Sequence, residues 1–139
     1  MKIIIINGPN LNLTGKREPE IYGSTTFPEY ITHLQEIFKD HQIEYFQSNI
    51  EGVLIDKLHE VGFSYDGIIL NPGGYSHTSI ALADAIKGII TPVIEVHLSN
   101  IASRESYRHN SYTAANCVGI ISGLGMFGYN AAISFLLNR

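Results

Sequence analysis

Four consecutive isoleucines, Ile3 to Ile6, leave no position for a solvent-facing side chain, so the chain opens with a strand buried on both sides. Apolar runs of the same kind recur at residues 43–46, 67–70, 92–97 and 117–121. Amphipathic segments separate them, at about residues 27–40, 53–63, 78–87 and 128–137, with a further helical turn near 103–107. Strands alternating with helices of that length predict βαβ units, a parallel sheet and right-handed crossovers. Five strands suit a flavodoxin-like three-layer α/β sandwich better than the six-stranded dinucleotide fold. No repeat, low-complexity tract or linker interrupts the pattern, so residues 1–139 are expected to form one domain.

Composition narrows what such a sandwich does. Charged residues are only 16%, below the usual quarter, which points to surface covered by other subunits. A net charge of −4 argues against nucleic acid, whose phosphates need a basic face. The one cysteine, Cys117, excludes an internal disulfide and fits a reducing compartment. No signal peptide precedes the first strand, and no apolar run reaches the roughly 18 residues of a membrane span. A soluble cytoplasmic protein with no membrane partner is expected.

Chemistry is expected beyond the carboxyl ends of the strands, where open parallel sheets bind ligands. The first such segment runs from Asn7 to Gly23, and the next helical pattern starts only near Thr26. It is therefore expected to lack regular structure over about 16 residues, where βα loops usually take about 2–6. With two prolines, three glycines, Arg17 and Tyr22, it reads as an active-site lid rather than a linker. The others are Asn71-Pro72-Gly73-Gly74-Tyr75-Ser76-His77-Thr78-Ser79, then Glu95-Val96-His97-Leu98-Ser99-Asn100, then Arg104 to His109. Three of the four arginines, Arg17, Arg104 and Arg108, fall in these segments, and arginine suits bidentate recognition of carboxylates.

Glu95 and His97 are two apart on a strand, so their side chains share a face. A carboxylate beside an imidazole fixes its tautomer and favours its protonated form, which is the makings of a general acid. The plainer alternative is a polar face on an edge strand. His77 sits behind two glycines near a helix start, where backbone N–H groups favour anions, or else caps and packs. Tyr22 is the candidate base. Its ordinary value near 10 can be lowered by a cation such as Arg17; the alternative is a hydrophobic staple under the loop. Asp84 interrupts an apolar helix as either a solvent-facing residue or part of an interface.

Several familiar motifs fail. Gly8 to Gly15-Lys16 places six residues between the glycines where a P-loop has four, and Arg17 replaces the magnesium-binding hydroxyl. No G-x-G-x-x-G follows the first strand, no acidic cluster supports a phosphoacceptor, and no His/Cys set has metal-ligand spacing. Neither metal nor cofactor is expected.

The blocks Asn7-Gly8-Pro9-Asn10-Leu11-Asn12-Leu13, Arg17-Glu18-Pro19, Tyr22-Gly23, the segment from Asn71 to Ser79, and Glu95 to Asn100 follow one another at consistent spacing. With Arg104-Glu105, Arg108, Ser111-Tyr112, Gly123-Leu124-Gly125 and Gly128-Tyr129, the chain resembles the type II 3-dehydroquinate dehydratases over its whole length. Thr14, where that family more often has an apolar residue, is a minor departure.

That resemblance implies trans-dehydration of 3-dehydroquinate to 3-dehydroshikimate through an enolate, without a Schiff base. It implies Tyr22 as proton acceptor, Arg17 as stabiliser of the tyrosinate, Asn10 as holder of a water at the enolate oxygen, and His97 as proton donor steadied by Glu95. It further places the substrate carboxylate on Asn71 and the backbone of Leu98 and Ser99, and the ring hydroxyls on His77, Arg108 and Asp84. The Asp84 position would reach a neighbouring subunit's site in a homododecamer built from trimers. Two readings of another class are a non-catalytic carboxylate-binding module and a flavin carrier. The unrelated type I chemistry needs a lysine imine, and none of Lys2, Lys16, Lys39, Lys57 or Lys87 sits where a buried amine would serve.

Overall fold

In the computed structural model, which describes residues 1–16 and 19–139 (Ile21 and Tyr22 by their backbone alone), the alternation read from the sequence is present. In chain order the elements are β1 (Lys2–Asn7), α1 (Pro19–Tyr22), α2 (Phe27–Ile37), β2 (Gln42–Gln47), α3 (Glu51–Val61), β3 (Gly67–Asn71), α4 (Ile80–Lys87), β4 (Val93–His97), β5 (Gly119–Ser122) and α5 (Phe127–Leu137). The five strands are all parallel, in the order β2-β1-β3-β4-β5. That is the flavodoxin-like order.

Local chemistry sets the helix starts. Thr26 caps α2 by accepting from the Glu29 amide at 3.4 Å, and Glu29 accepts in return from the Thr26 amide at 3.2 Å. Ser79 caps α4 through the Leu82 amide at 2.9 Å. The helices α2, α3, α4 and α5 then turn apolar side chains to the sheet, as Phe27, Ile31 and Leu34 do in α2.

The strand period of two divides the interior into two cores. Ile3, Ile5, Ile69, Ile94 and Val96 pack with α2 and α5, while Ile4, Ile6, Ile68, Leu70 and Val93 pack with α3 and α4. Each such buried side chain contributes about 1.5–3 kcal/mol of transfer free energy. The alternation puts Glu95 and His97 on the side of Val93, against the α3/α4 layer.

Four expectations change. The segment after β1 is not irregular up to Thr26: it carries a 3-10 turn at Leu11–Leu13 and the one-turn helix α1. Proline at the first position of α1 loses no hydrogen bond there, which is why so short a helix starts at Pro19. β4 lies between β3 and β5, so the edge-strand reading of Glu95 and His97 fails. His77 does not stand at a helix start but ends the 3-10 turn Gly73–His77, ahead of α4. The turn expected near 103–107 is two 3-10 turns, Ile101–Ser103 and Ser106–Arg108.

Candidate active site

The strand order reverses at β1, so the crevice beyond the carboxyl ends of β1 and β3 is the place where such a sheet takes a ligand. A cavity of about 180 Å³ opens there. Asn10 and Thr14 line it from the segment after β1, Asn71 from the end of β3 with Gly74 and His77 from the turn that follows, and His97 from the end of β4 with Ser99, Arg104 and Arg108 from beyond it.

One backbone contact joins the first two walls, and a second feature fixes Asn10. The Gly8 amide donates to the Asn71 carbonyl at 2.7 Å, and a Cβ on Gly8 would stand 2.6 Å from the Pro72 oxygen. Only glycine permits that approach. Asn10 adopts a left-handed conformation with φ of 70°, alone in this among the described non-glycine residues, and its amide donates to Asn49 Oδ1 at 3.0 Å. Asparagine tolerates that region, where most residues are strained.

Asn71 is buried and largely committed. Its Nδ2 donates to the Tyr129 hydroxyl at 3.0 Å, and its Oδ1 accepts from the Gly73 amide at 3.1 Å. Tyr129 in turn donates to Asn7 Oδ1 at 2.8 Å. Burial holds the Tyr129 hydroxyl far above the ordinary tyrosine range, so it stays protonated and donates once. One N–H of Asn71 remains for a ligand.

On the other sheet face lies a charged group. Glu95 is fully buried, and its Oε2 accepts from His97 Nε2 at 2.8 Å. Ser111 donates to the same oxygen at 2.6 Å, and Thr113 donates to Oε1. A buried carboxylate is tolerated when donors surround it, and here three do. The half-buried Cys117 thiol is pushed up to about 12, first by burial and then by the negative charge of Glu95.

His77 stacks beside His97 at 6.0 Å between ring centres, with an angle of 25° between planes. Its Nδ1 is 2.8 Å from the Asn110 carbonyl, which only accepts, so Nδ1 carries the proton. The arginines are held in place: Arg104 donates to Ser99 Oγ at 3.2 Å, and Arg108 pairs with Glu105 at 2.8 Å. Glu105 is thereby held below the usual carboxylate range, by its own backbone hydrogen bond first and by Arg108 next.

Seven residues named from the sequence thus line one cavity: Asn10, Asn71, His77, His97, Leu98, Ser99 and Arg108. Glu95 stands directly behind His97. Asp84 is exposed on α4 and takes no part in the lining. Arg17 and the side chain of Tyr22 lie outside the described residues; the Tyr22 backbone ends α1. Sequence reasoning missed Ser111 and Thr113 as partners of Glu95. The signal available was the carboxylate itself, since an acid inside an apolar strand demands donors from elsewhere.

An interior strand ending in an imidazole–carboxylate pair, facing a polar cavity rimmed by arginines, defines an α/β enzyme site built for proton transfer on a small polar molecule. Residues 1–137 match the family Dehydroquinase class II. A 3-dehydroquinate dehydratase of Clostridium perfringens is 54% identical over 142 residues, covering 100% of this chain and 99% of that protein. One from Helicobacter pylori strain Shi470 is 52% identical over 143 residues, covering 99% and 86%. The crystal structure of a type II dehydroquinase from Butyrivibrio crossotus superposes with a TM-score of 0.92 at 45% identity, covering 99% of this chain and 97% of that one. The chain belongs to the class II dehydroquinase family.

Proposed function

We propose that this chain is a 3-dehydroquinate dehydratase, a hydro-lyase that removes water in trans from 3-dehydroquinate to give 3-dehydroshikimate, the third step of the shikimate pathway toward chorismate and the aromatic amino acids. The observation that carries the reading is the buried Glu95–His97 pair opening onto a cavity shared with Asn71, His77 and Arg108.

The chemistry divides between two sides of the substrate ring. Tyr22, as tyrosinate stabilised by Arg17, takes the C2 proton beside the ketone, and the electron pair moves to the ketone oxygen as an enolate. A water held by Asn10 supports that oxygen. The enolate then re-forms the ketone and expels the C1 hydroxyl, which leaves as water with a proton from His97. An anti elimination needs base and acid on opposite faces, so one residue cannot serve as both. The reaction uses neither metal nor cofactor.

Binding falls to the neutral and cationic groups. The free N–H of Asn71 and the backbone at Leu98 and Ser99 hold the carboxylate, with His77 and Arg108 on the ring hydroxyls. Asp84 is assigned to a neighbouring subunit's site in a homododecamer, a tetramer of trimers. Its exposure on α4, outside the cavity of its own chain, supports that assignment. Light scattering that returned a single chain's mass would remove it. The two cores on one sheet support a single domain over residues 1–139, and the lone cysteine supports a cytoplasmic setting.

The test is ultraviolet absorbance on mixing protein with 3-dehydroquinate, beside a Tyr22→Phe variant. Growth of the conjugated enone signal in the wild type, lost in the variant, is expected. Turnover surviving in the variant would discard Tyr22 as the base. No signal in either would overturn the dehydratase and leave a carboxylate-binding module.

A further inference from the structure

His97 is only as well oriented as the carboxylate behind it, and that carboxylate is held by a segment with no part in the chemistry above. Residues 110–113 reach both histidines of the cavity. The Asn110 carbonyl accepts from His77 Nδ1 at 2.8 Å. One residue on, Ser111 donates to Glu95 Oε2 at 2.6 Å, and two further on Thr113 donates to Oε1. Glu95 then accepts from His97 Nε2.

The segment is itself anchored on both sides. The Tyr112 amide donates to the Ser76 carbonyl at 2.7 Å, next to His77. The Ala114 amide donates to Ser111 Oγ at 3.1 Å, and Asn116 Nδ2 to the Ala83 carbonyl at 2.7 Å in α4. Ser111 and Thr113 oxygens stand 3.2 Å apart, but each hydroxyl has one hydrogen and spends it on Glu95.

The two acceptors dictate opposite proton positions on two stacked rings. A carbonyl requires Nδ1–H on His77, and a carboxylate requires Nε2–H on His97. His97 therefore keeps Nδ1 as the nitrogen that exchanges a proton with a ligand.

We propose that residues 110–113 form a positioning clamp that fixes the tautomers of His77 and His97 in opposite senses, with Ser111 and Thr113 acting on His97 through Glu95. The consequence for turnover rests on the dehydratase reading; the tautomers do not. Removing the Thr113 hydroxyl leaves the buried Oε1 of Glu95 without its donor, and removing that of Ser111 leaves Oε2 to His97 alone; either way Glu95 ceases to hold one orientation of the imidazole. The Cys117 thiol feels the charge of Glu95 but donates to the Thr113 carbonyl at 3.4 Å, so it does not replace a lost donor.

The experiment is nitrogen NMR of the imidazoles in the full-length protein without ligand, at alkaline pH where an ordinary imidazole is neutral. Wild type, Thr113→Val, Thr113→Ser and Ser111→Ala are compared, with kinetics on each. The wild type is expected to show His77 as Nδ1–H and His97 as Nε2–H. Thr113→Val is expected to give a tautomer mixture at His97 only, with kcat lowered about tenfold and KM within about twofold. Thr113→Ser restores both. A folded Thr113→Val protein with a single Nε2–H tautomer at His97 and wild-type kcat overturns the proposal. If that variant does not fold, Ser111→Ala, at a less buried position, carries the same two outcomes. A wild type with the two tautomers but no turnover of 3-dehydroquinate would overturn the dehydratase reading and leave the clamp standing.

Discussion

Two groups of buried polar side chains, one on each face of the sheet, are built differently. On the α2/α5 side the insertion is neutral: Asn7, Tyr129 and Asn71 pass hydrogen bonds in a line, with a hydroxyl that burial keeps protonated. On the α3/α4 side it is charged: Glu95 gathers His97, Ser111 and Thr113 around one carboxylate. Both sit at the carboxyl ends of interior strands and both end in a cavity-lining residue. The neutral line is suited to binding, since its protonation does not change over ordinary pH. The charged group is suited to moving a proton. A buried charge has to be surrounded by donors to exist at all, and it is there that the sequence supplies extra hydroxyls.

Substitutions break this contrast in order of size. His97→Asn removes the proton donor, and dehydration is expected to fall about 10²–10⁴-fold in steady-state kinetics with little change in substrate affinity. A fall of less than tenfold would move the acid role elsewhere. Next, with its value lifted from 9.0 to about 12, the Cys117 thiol carries roughly a thousandfold less thiolate than an ordinary cysteine at neutral pH. Iodoacetamide labelling is expected to be slower in the native protein by about that factor than in urea. Equal rates would mean that the thiol senses neither burial nor Glu95.

Tyr129→Phe tests the neutral side. It removes both hydrogen bonds of the hydroxyl, so urea unfolding is expected to show a loss of about 1–3 kcal/mol. KM rises more than kcat falls, because Asn71 binds and does not react. The smallest effect belongs to Glu105, exposed on the rim. Glu105→Gln frees Arg108 and is expected to change KM by about twofold. Its carboxyl is held below the usual range, so the pairing is present at neutral pH and is lost only as pH falls through that lowered value. A KM that changes between neutral and mildly acidic pH in the wild type, but not in Glu105→Gln, would contradict that sign.

Most of the fold was legible in the sequence because strand and helix periods are local signals. The isoleucine run, the apolar helix stripes and the two-residue spacing of Glu95 and His97 each state their own orientation. What escaped was set by contacts distant in the chain. Ser111 and Thr113 lie 16 and 18 residues from Glu95 and carry no period of their own. Tyr129 reads as one more apolar residue in α5, and nothing near it reveals that its hydroxyl meets Asn7 across 122 residues. The helix α1 escaped because four residues show no period, although Pro19 marks its start. That β4 is interior follows from strand order, which pairing across the sheet decides.

The most direct test of the division between acid and base is proton NMR of 3-dehydroquinate in D₂O with His97→Asn, against Tyr22→Phe and a protein-free control. If His97 serves only the departing hydroxyl, its variant still exchanges the C2 proton for deuterium, faster than the control, while forming almost no enone; Tyr22→Phe does neither. Loss of exchange in His97→Asn together with dehydration, or exchange persisting in Tyr22→Phe, would contradict the assignment of the two roles to the two sides of the site.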